Sequence, residues 1–132
     1  MLGHTPPCIL VIDPDPGQQP IIAHLVYPHY KVLWCGTFAD AYGLLRSYHP
    51  RLLLLDIDQP SENPFSWMQR QRTSQHQNAL PMVCTSAQSQ ITDKILAFQN
   101  GADDVWVKPF APATLLPRME LLIRTAAIQR GT

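Results

Sequence analysis

The sequence predicts an α/β domain with a parallel sheet, and three observations support that prediction. The chain has 132 residues and is 45% apolar, which suits one compact domain with its own core. Short apolar runs alternate with segments of helical periodicity five times along the chain. One of these runs, Leu52–Leu55, consists of four leucines, as is typical of a strand covered on both faces. Because strands that alternate with helices form right-handed βαβ units, we expect a doubly wound sheet of five parallel strands with five helices.

The first two strand–helix pairs are marked by clear start and stop signals. Strands are predicted over Cys8–Ile12 and Tyr30–Cys35, which are both short apolar runs. Pro20 suits the first turn of the first helix, and Pro28 should end that helix. Thr37 is a plausible N-cap for the second helix. The apolar residues of both helices recur at helical spacing: Ile21, Ile22, Leu25, Val26, Ala41, Leu44 and Leu45.

The second half of the chain continues the same alternation after the strand Leu52–Leu55. A polar helix should run from Phe65 to about Gln75, followed by a strand over Leu80–Cys84. The spacing of Ile91, Ile95 and Phe98 predicts a fourth helix, and Asn100-Gly101 is a good C-terminal signal for it. Val105–Val107 should be the last strand. A final helix is expected from Pro112 to about Gln129, with these residues inward: Leu115, Leu116, Met119, Leu122 and Ile123. We therefore expect one domain over residues 1–132, with its core over about 8–128.

Charge and cysteine content exclude several classes of function. Lys and Arg together number 10 and so do Asp and Glu, which leaves no electrostatic footprint for nucleic acid or an anionic membrane. If DNA is involved, we expect an output domain outside this chain to bind it. No apolar stretch approaches 18 residues, so neither membrane spanning nor secretion is expected. The cysteines are odd in number and lack C-x-x-C spacing, which favours buried free thiols in a reducing cytoplasm: Cys8, Cys35 and Cys84.

Four chemically active residues lie at the ends of predicted strands. In a doubly wound sheet, ligands bind at the carboxyl ends of the strands, which here carry Asp13, Asp56, Ser86 and Lys108. Two neighbouring carboxylates repel each other unless a cation lies between them, and hard oxygen ligands suit Mg²⁺. A carboxylate nucleophile, Mg²⁺, a hydroxyl and a lysine are together the groups that phosphoryl transfer to an aspartate requires.

Three segments resemble the receiver domain of bacterial response regulators. Residues 50–60 read PRLLLLDIDQP and resemble the phosphorylation segment of that family. Residues 81–87, PMVCTSA, resemble the strand that carries its switch hydroxyl, and residues 101–110, GADDVWVKPF, resemble its lysine-proline segment. The resemblance extends over residues 8 to about 125, nearly the whole chain. It implies a flavodoxin-like sheet with strand order 2-1-3-4-5 and a partner that is a histidine kinase or another regulatory protein.

The resemblance implies a role for each residue of the pocket. Asp56 matches the phosphoacceptor, and Ser86 matches the switch hydroxyl that follows the phosphoryl group. Lys108 matches the lysine of the pocket, and its bond to Pro109 resembles one that is cis in the family. Asp13 matches the first acid of the metal site. Asp58 matches the position whose backbone carbonyl binds the metal.

Two departures from the family lead us to expect an atypical receiver. Pro14 stands where the family has a second acid that touches Mg²⁺ directly, and proline offers no ligand atom. We therefore expect weak or absent Mg²⁺ binding, with the Asp58 carboxylate either partly replacing the lost ligand or being solvated in a loop. Val105 stands where the family prefers an aromatic switch residue. Trp106 should point to the opposite face of its strand, as a core residue or an interface residue.

The last third resembles the winged-helix transcription-factor branch of the family, the OmpR/PhoB type. In that branch the fourth helix, the fifth strand and the fifth helix form a dimer face with three ion pairs. The matching candidates for a dimer or partner face are Lys94, Asp103, Asp104, Trp106 and Arg118. Thr114 and Glu120 stand where a glutamate and a lysine would complete two of the pairs, so one pair is lost and another becomes repulsive. We expect a monomer or a weak dimer.

Three hypotheses about function remain open at the level of sequence. The preferred one is an atypical receiver, inferred from its departures at Pro14 and Val105, that signals with little or no dependence on Asp56 phosphorylation; the alternative form of this hypothesis is a stand-alone protein-interaction module. The second is a conventional Mg²⁺-dependent switch that a histidine kinase phosphorylates, for which Asp56, Ser86 and Lys108 argue. The third is a small phosphatase in which Asp58 donates the proton. Because the chain has no cap domain, we do not expect an enzyme.

Overall fold

The fold is a five-stranded parallel sheet with helices on both faces, as the sequence predicts. The computed structural model describes residues 6–59, 62–74, 79–88 and 90–129. The sheet has the order β2-β1-β3-β4-β5, and its neighbouring strands pair in parallel. The strands are β1 Cys8–Ile12, β2 Lys31–Cys35, β3 Leu53–Asp56, β4 Met82–Ser86 and β5 Asp104–Val107. The helices are α1 Gln18–Val26, α2 Phe38–Tyr48, α3 Pro64–Thr73, α4 Ile91–Gln99 and α5 Pro112–Gln129.

The leucine run around β3 divides its side chains between two cores. Leu53 and Leu55 pack with residues of α2 and α3 on one face of the sheet. Leu52 and Leu54 pack with residues of α1 and α5 on the other face. All four are fully buried. At roughly 1.5–3 kcal/mol for each buried leucine, this run anchors the sheet and fixes the position of Asp56 at its end.

Local chemistry explains where several elements begin and end. The Thr37 side chain accepts a hydrogen bond from the backbone N–H of Asp40 at 3.2 Å, which confirms the predicted cap of α2. The helix α1 ends at Val26, two residues before Pro28, as predicted. Gly101, which follows α4, has a φ of +108°, a conformation that favours glycine.

Some predicted boundaries were wrong by one or two residues. The largest error concerns β4, which was predicted over Leu80–Cys84. Pairing with β3 begins at Met82, so the strand extends to Ser86. Pro81 has no N–H to contribute to a ladder, which accounts for the later start. The predicted end of the third helix at Gln75 and part of the loop after it, like the loop residues Pro60 and Ser61, lie outside the described residues.

The helix α4 was predicted correctly, but the apolar stripe that predicted it does not face the core. Ile91, Ile95 and Phe98 are 73%, 50% and 51% exposed, whereas Ala97 is buried. By contrast, Leu115 and Met119 of α5 are buried as predicted. Helical periodicity therefore identified both helices, but it indicated the buried face of only one.

Two further expectations concern the whole chain. Within the described ranges, no helix combines the length and the apolar character needed to cross a membrane. The three cysteines are free thiols; Cys35 and Cys84 are buried and Cys8 is partly buried. Burial raises the pKa of Cys35 to about 11 and that of Cys84 to about 12, so both thiols stay protonated near neutral pH.

Candidate functional site: the carboxyl edge of the sheet

The first residue after β1, Asp13, is buried and accepts hydrogen bonds at both its side chain and its backbone. It is only 2% exposed. Its carboxylate accepts a hydrogen bond from the backbone N–H of Asp15 at 2.9 Å, and its backbone carbonyl accepts one from the indole N–H of Trp34 at 2.9 Å. The sequence did not single out Trp34, because this contact depends on how β1 and β2 pair and not on spacing along the chain. The Asp13 carboxyl group is therefore buried and fixed in orientation.

Lys108 bridges Asp13 and Asp56. Its Nζ donates to Asp13 Oδ2 at 2.6 Å and lies 3.4 Å from Asp56 Oδ1. Burial would lower the pKa of Lys108, but the hydrogen bond to Asp13 and the charge of Asp56 outweigh it, so the pKa is raised. The backbone N–H of Lys108 also donates to the Ser86 carbonyl oxygen, and the Lys108–Pro109 peptide bond is cis, as the resemblance implied. The single ammonium group of Lys108 thus contacts two buried carboxylates.

Asp56 ends β3 and is 4% exposed. Burial raises the pKa of its carboxyl group, although the ammonium of Lys108 and the backbone N–H of Asp58 act in the opposite direction. That N–H donates to Asp56 Oδ1 at 3.2 Å, and the side-chain amide of Gln59 donates to the Asp56 carbonyl oxygen at 3.0 Å. Gln59 is a second contact that sequence reasoning missed. Asp56 is therefore a desolvated carboxylate with a fixed orientation.

The carboxylate of Asp58 lies on the end of β4. Its Oδ1 accepts from the Ser86 hydroxyl at 2.9 Å, and its Oδ2 accepts from the backbone N–H of Ala87 at 2.8 Å. Ser86 itself is 1% exposed. Asp58 is an exposed loop aspartate, as one of the two alternatives stated, but each of its carboxylate oxygens also accepts a hydrogen bond from the protein.

The groups at this edge differ in what they could offer to Mg²⁺. Pro14 offers no ligand atom, and the Asp15 carboxylate turns away to accept from the backbone N–H of Gly17. The Asp58 carboxylate is bound to Ser86 and Ala87, and its partial replacement of the lost ligand stays a prediction. Across the part of the chain that the structure describes, no three His, Cys, Asp or Glu residues come together as a metal site. Two carboxylates remain for a cation, and Lys108 already contacts both.

Val105 and Trp106 lie on opposite faces of β5, as strand alternation predicted. Val105 is partly buried and packs against the core that contains α2 and α3. Trp106 is 3% exposed and packs in the core with α1 and α5, and its indole N–H donates to Asp104. The prediction that Trp106 belongs to the partner face was therefore wrong. Trp106 is a core residue, and its burial prevents direct contact with a partner.

Of the other candidates for a partner face, the acidic residues and Arg118 already have side-chain contacts within the chain. Asp104 accepts from Arg118 at 2.7 Å, and the guanidinium of Arg118 lies 5.1 Å from the centre of the Trp106 ring. Asp103 accepts from Arg72 at 2.6 Å and from the backbone N–H of Met82 at 2.8 Å. Lys94 is half-buried on α4. The surviving Asp104–Arg118 pair therefore forms inside one chain.

Comparisons with known proteins identify the family. The response regulator receiver domain matches residues 9–120. The chain belongs to the response regulator receiver family. Among curated relatives, it is 33% identical over 119 residues to the DNA-binding dual master transcriptional regulator RpaA of Synechocystis sp., a match that covers 89% of this chain and 49% of that protein. It is 29% identical to the transcriptional regulatory protein PmrA of Pectobacterium parmentieri, over 88% of this chain and 52% of that protein. The chain spans about half the length of these relatives.

Solved structures agree with this receiver fold. A response regulator from Thermotoga maritima superimposes with a TM-score of 0.81 at 21% identity, over 91% of this chain and 99% of that chain. The receiver domain of a sensor histidine kinase from Pseudomonas aeruginosa, which holds a magnesium ion in its active-site cleft, gives a TM-score of 0.79 at 21% identity over the same shares. Receiver domains act in two-component signalling with histidine kinases and output domains, and they generally bind Mg²⁺. The top curated relatives of this chain are transcriptional regulators of the OmpR/PhoB type.

Proposed function

We propose that this receiver controls an attached transcription-factor domain and that its signalling depends weakly, or not at all, on phosphorylation of Asp56. The observation that carries the proposal is the bridge from Lys108 to both Asp13 and Asp56 beside Pro14. In this arrangement the repulsion between the two buried acids is relieved by a cation of the chain itself. A divalent ion is therefore not required to offset the repulsion between Asp13 and Asp56.

The chemistry of phosphoryl transfer supports the same conclusion. A metal ion offsets the charge that builds up on the transferred group, and this effect contributes several kcal/mol to the transition state. Without a ligand at Pro14, we expect that contribution to be small. The buried Asp56 carboxylate has a raised pKa and is already in contact with Lys108. Val105 also has no ring that could follow the Ser86 hydroxyl.

The conventional switch remains the alternative, and a specific observation favours it. Asp56, Ser86 and Lys108, the three residues matched to the phosphoacceptor, the switch hydroxyl and the lysine, all lie at the carboxyl edge, and Lys108 contacts both Asp56 and the Ser86 backbone. A pocket that keeps these groups could accept a phosphoryl group if Mg²⁺ still bound to Asp13, Asp56 and the backbone carbonyl of Asp58. The two functions differ in one measurable quantity, which is the rate of Mg²⁺-dependent phosphorylation.

Treatment with a small phosphodonor tests the proposal directly. The chain is incubated with phosphoramidate, with and without Mg²⁺, and its intact mass is followed over time, with Asp56→Ala as the control. We expect no adduct, or one that forms slowly and is barely stimulated by Mg²⁺. Rapid formation of an adduct that requires both Mg²⁺ and Asp56 would establish the conventional switch and refute the proposal.

The names of the relatives support a role in transcription. RpaA and PmrA are transcriptional regulators about twice as long as the chain that matches them. We propose that DNA is bound through an output domain outside residues 1–132, that this receiver regulates that domain in the cytoplasm, and that a histidine kinase or another regulatory protein is its partner. The equal numbers of basic and acidic residues agree with a domain that does not itself bind DNA.

The charges on the α4–β5–α5 face lead us to propose a monomer or a weak dimer. Arg118 is bound to Asp104 of its own chain, and Glu120 supplies a negative charge where the family dimer uses a lysine. A like-charge contact across an interface opposes association. Sedimentation velocity at micromolar concentration should therefore give the mass of one chain. A tight dimer that Arg118→Ala dissociates would contradict this prediction.

A further inference from the structure

Asp58 binds two hydrogen-bond donors at the end of β4. The Ser86 hydroxyl donates to one carboxylate oxygen at 2.9 Å, and the Ala87 backbone N–H donates to the other at 2.8 Å. These donors lie beside Asp56, because Thr85, the residue before Ser86, is the register partner of Asp56 on the neighbouring strand. The backbone N–H of Asp58 in turn donates to Asp56 Oδ1. The carboxylate of Asp58 therefore lies at the same end of the sheet as the carboxylate of Asp56.

A hydroxyl and an N–H that meet separate oxygens of one anion form a small oxyanion site. A phosphoryl group carried on Asp56 would present such oxygens to the nearest donors, and charge-assisted hydrogen bonds of this kind are the strong ones. In this chain the Ser86 hydroxyl and the Ala87 N–H at the end of β4 already donate to Asp58. An incoming oxyanion would have to displace the Asp58 carboxylate, which is part of the protein chain and cannot diffuse away.

The Ser86 hydroxyl has one further hydrogen-bonding neighbour, Gln88. Its oxygen also lies 2.6 Å from the Gln88 carbonyl oxygen and accepts from the Gln88 backbone N–H at 2.9 Å. A hydroxyl has one hydrogen, so it donates either to Asp58 or to Gln88 at any moment. Because Ser86 is 1% exposed, Asp58 and Gln88 hold the hydroxyl between them with little access for water.

We propose that the Asp58 carboxylate is a built-in substitute for a phosphoryl group. It occupies the Ser86–Ala87 donor pair without modification of Asp56 and keeps external oxyanions off the pair. This inference rests on the proposed function, since it takes Asp56 and Ser86 as the positions matched to the phosphoacceptor and the switch. It also deepens it, because the pocket then contains both its own cation, Lys108, and its own anion, Asp58.

Amide hydrogen exchange measures the contact directly. In Asp58→Ala the Ala87 amide loses its acceptor, so it should exchange about tenfold faster or more than in the unmodified chain. Asp58→Asn keeps one acceptor oxygen and should give a smaller increase. The Ile57 amide, which donates to the Thr85 carbonyl oxygen at 3.0 Å, is the internal reference and should not change. Asp15→Ala, which removes a carboxylate that accepts from Gly17, should leave Ala87 unchanged.

Titration with inorganic phosphate tests whether the freed pair is an anion site. The Ala87 amide resonance should follow phosphate in Asp58→Ala with an affinity about tenfold higher than in the unmodified chain. Unchanged Ala87 exchange in Asp58→Ala overturns the inference, and so does faster exchange without a gain in phosphate affinity. A rapid Mg²⁺-dependent adduct on Asp56 of the unmodified chain would instead refute the proposed function, and it alters neither of these two readouts.

Discussion

Replacing Lys108 with methionine should lower the free energy of unfolding by about 3–5 kcal/mol near neutral pH. Methionine keeps the unbranched shape of lysine as far as Cε but has no ammonium group. Asp13 and Asp56, which are 2% and 4% exposed, would then face each other without the ammonium that contacts both. Equilibrium unfolding in urea, followed by tryptophan fluorescence, measures the loss.

The matched control is the same substitution at Lys94. The described part of the chain gives Lys94 no ion pair, so Lys94→Met should change the stability by less than about 1 kcal/mol. A double-mutant cycle separates the charge effect from lost packing. Asp13→Asn should cost less in the Lys108→Met background than in the unmodified chain. If the two substitutions are additive, the bridge does not stabilise the fold as we infer.

The direction in which the stability of the Lys108→Met variant changes with pH can be predicted. The pKa of Asp56 is raised in the folded chain by burial, and removing Lys108 takes away the charge that lowers it. The folded state then binds more protons than the unfolded state between the raised pKa and the ordinary value of about 3.9. The stability of the variant relative to the unmodified chain should therefore increase as the pH falls through that window. A difference that stays constant from neutral to acid pH would contradict this mechanism.

The fold could be predicted because most of its signals are local. The Leu52–Leu55 run, the cap at Thr37 and the alternation of Val105 with Trp106 each depend on a few neighbouring residues. The apolar stripe of Ile91, Ile95 and Phe98 is a case in which the local signal was not sufficient. Helical spacing states that one face is apolar, but only the packing of α4 on the sheet determines that this face is exposed.

The residues of the site could be predicted from the sequence, but the hydrogen bonds between their side chains could not. The rule that ligands bind at the carboxyl ends of parallel strands brought Asp13, Asp56, Ser86 and Lys108 together correctly. It could not give the side-chain orientation of Asp58, since Ser86, its hydrogen-bond partner, lies 28 residues away and the choice depends on the local loop geometry. The contact of Trp34 with Asp13 has the same origin. Spacing therefore finds the pocket, whereas three-dimensional packing decides which of its charges are satisfied internally.

Restoring an acid at position 14 should recover metal-dependent chemistry. In Pro14→Asp, a second carboxylate would adjoin Asp13 and compete with Lys108 for a divalent cation. We expect tighter Mg²⁺ binding and at least about tenfold faster formation of the phosphoramidate adduct, because about 1.4 kcal/mol gives a factor of ten and a bound metal supplies several kcal/mol. The Trp34 indole donates to the Asp13 carbonyl oxygen, so its fluorescence should report the Mg²⁺ titration.

Pro14→Ala is the matched control for this gain, because it frees the backbone in the same way without adding a ligand. If Pro14→Ala is accelerated as much as Pro14→Asp, the proline limits the pocket through its rigidity and not through the missing carboxylate. If neither variant responds to Mg²⁺, the contacts of Lys108 are sufficient to exclude the metal. A further increase in Pro14→Asp/Asp58→Ala over Pro14→Asp would show that cation and oxyanion are excluded separately, the cation by the missing ligand and the oxyanion by Asp58.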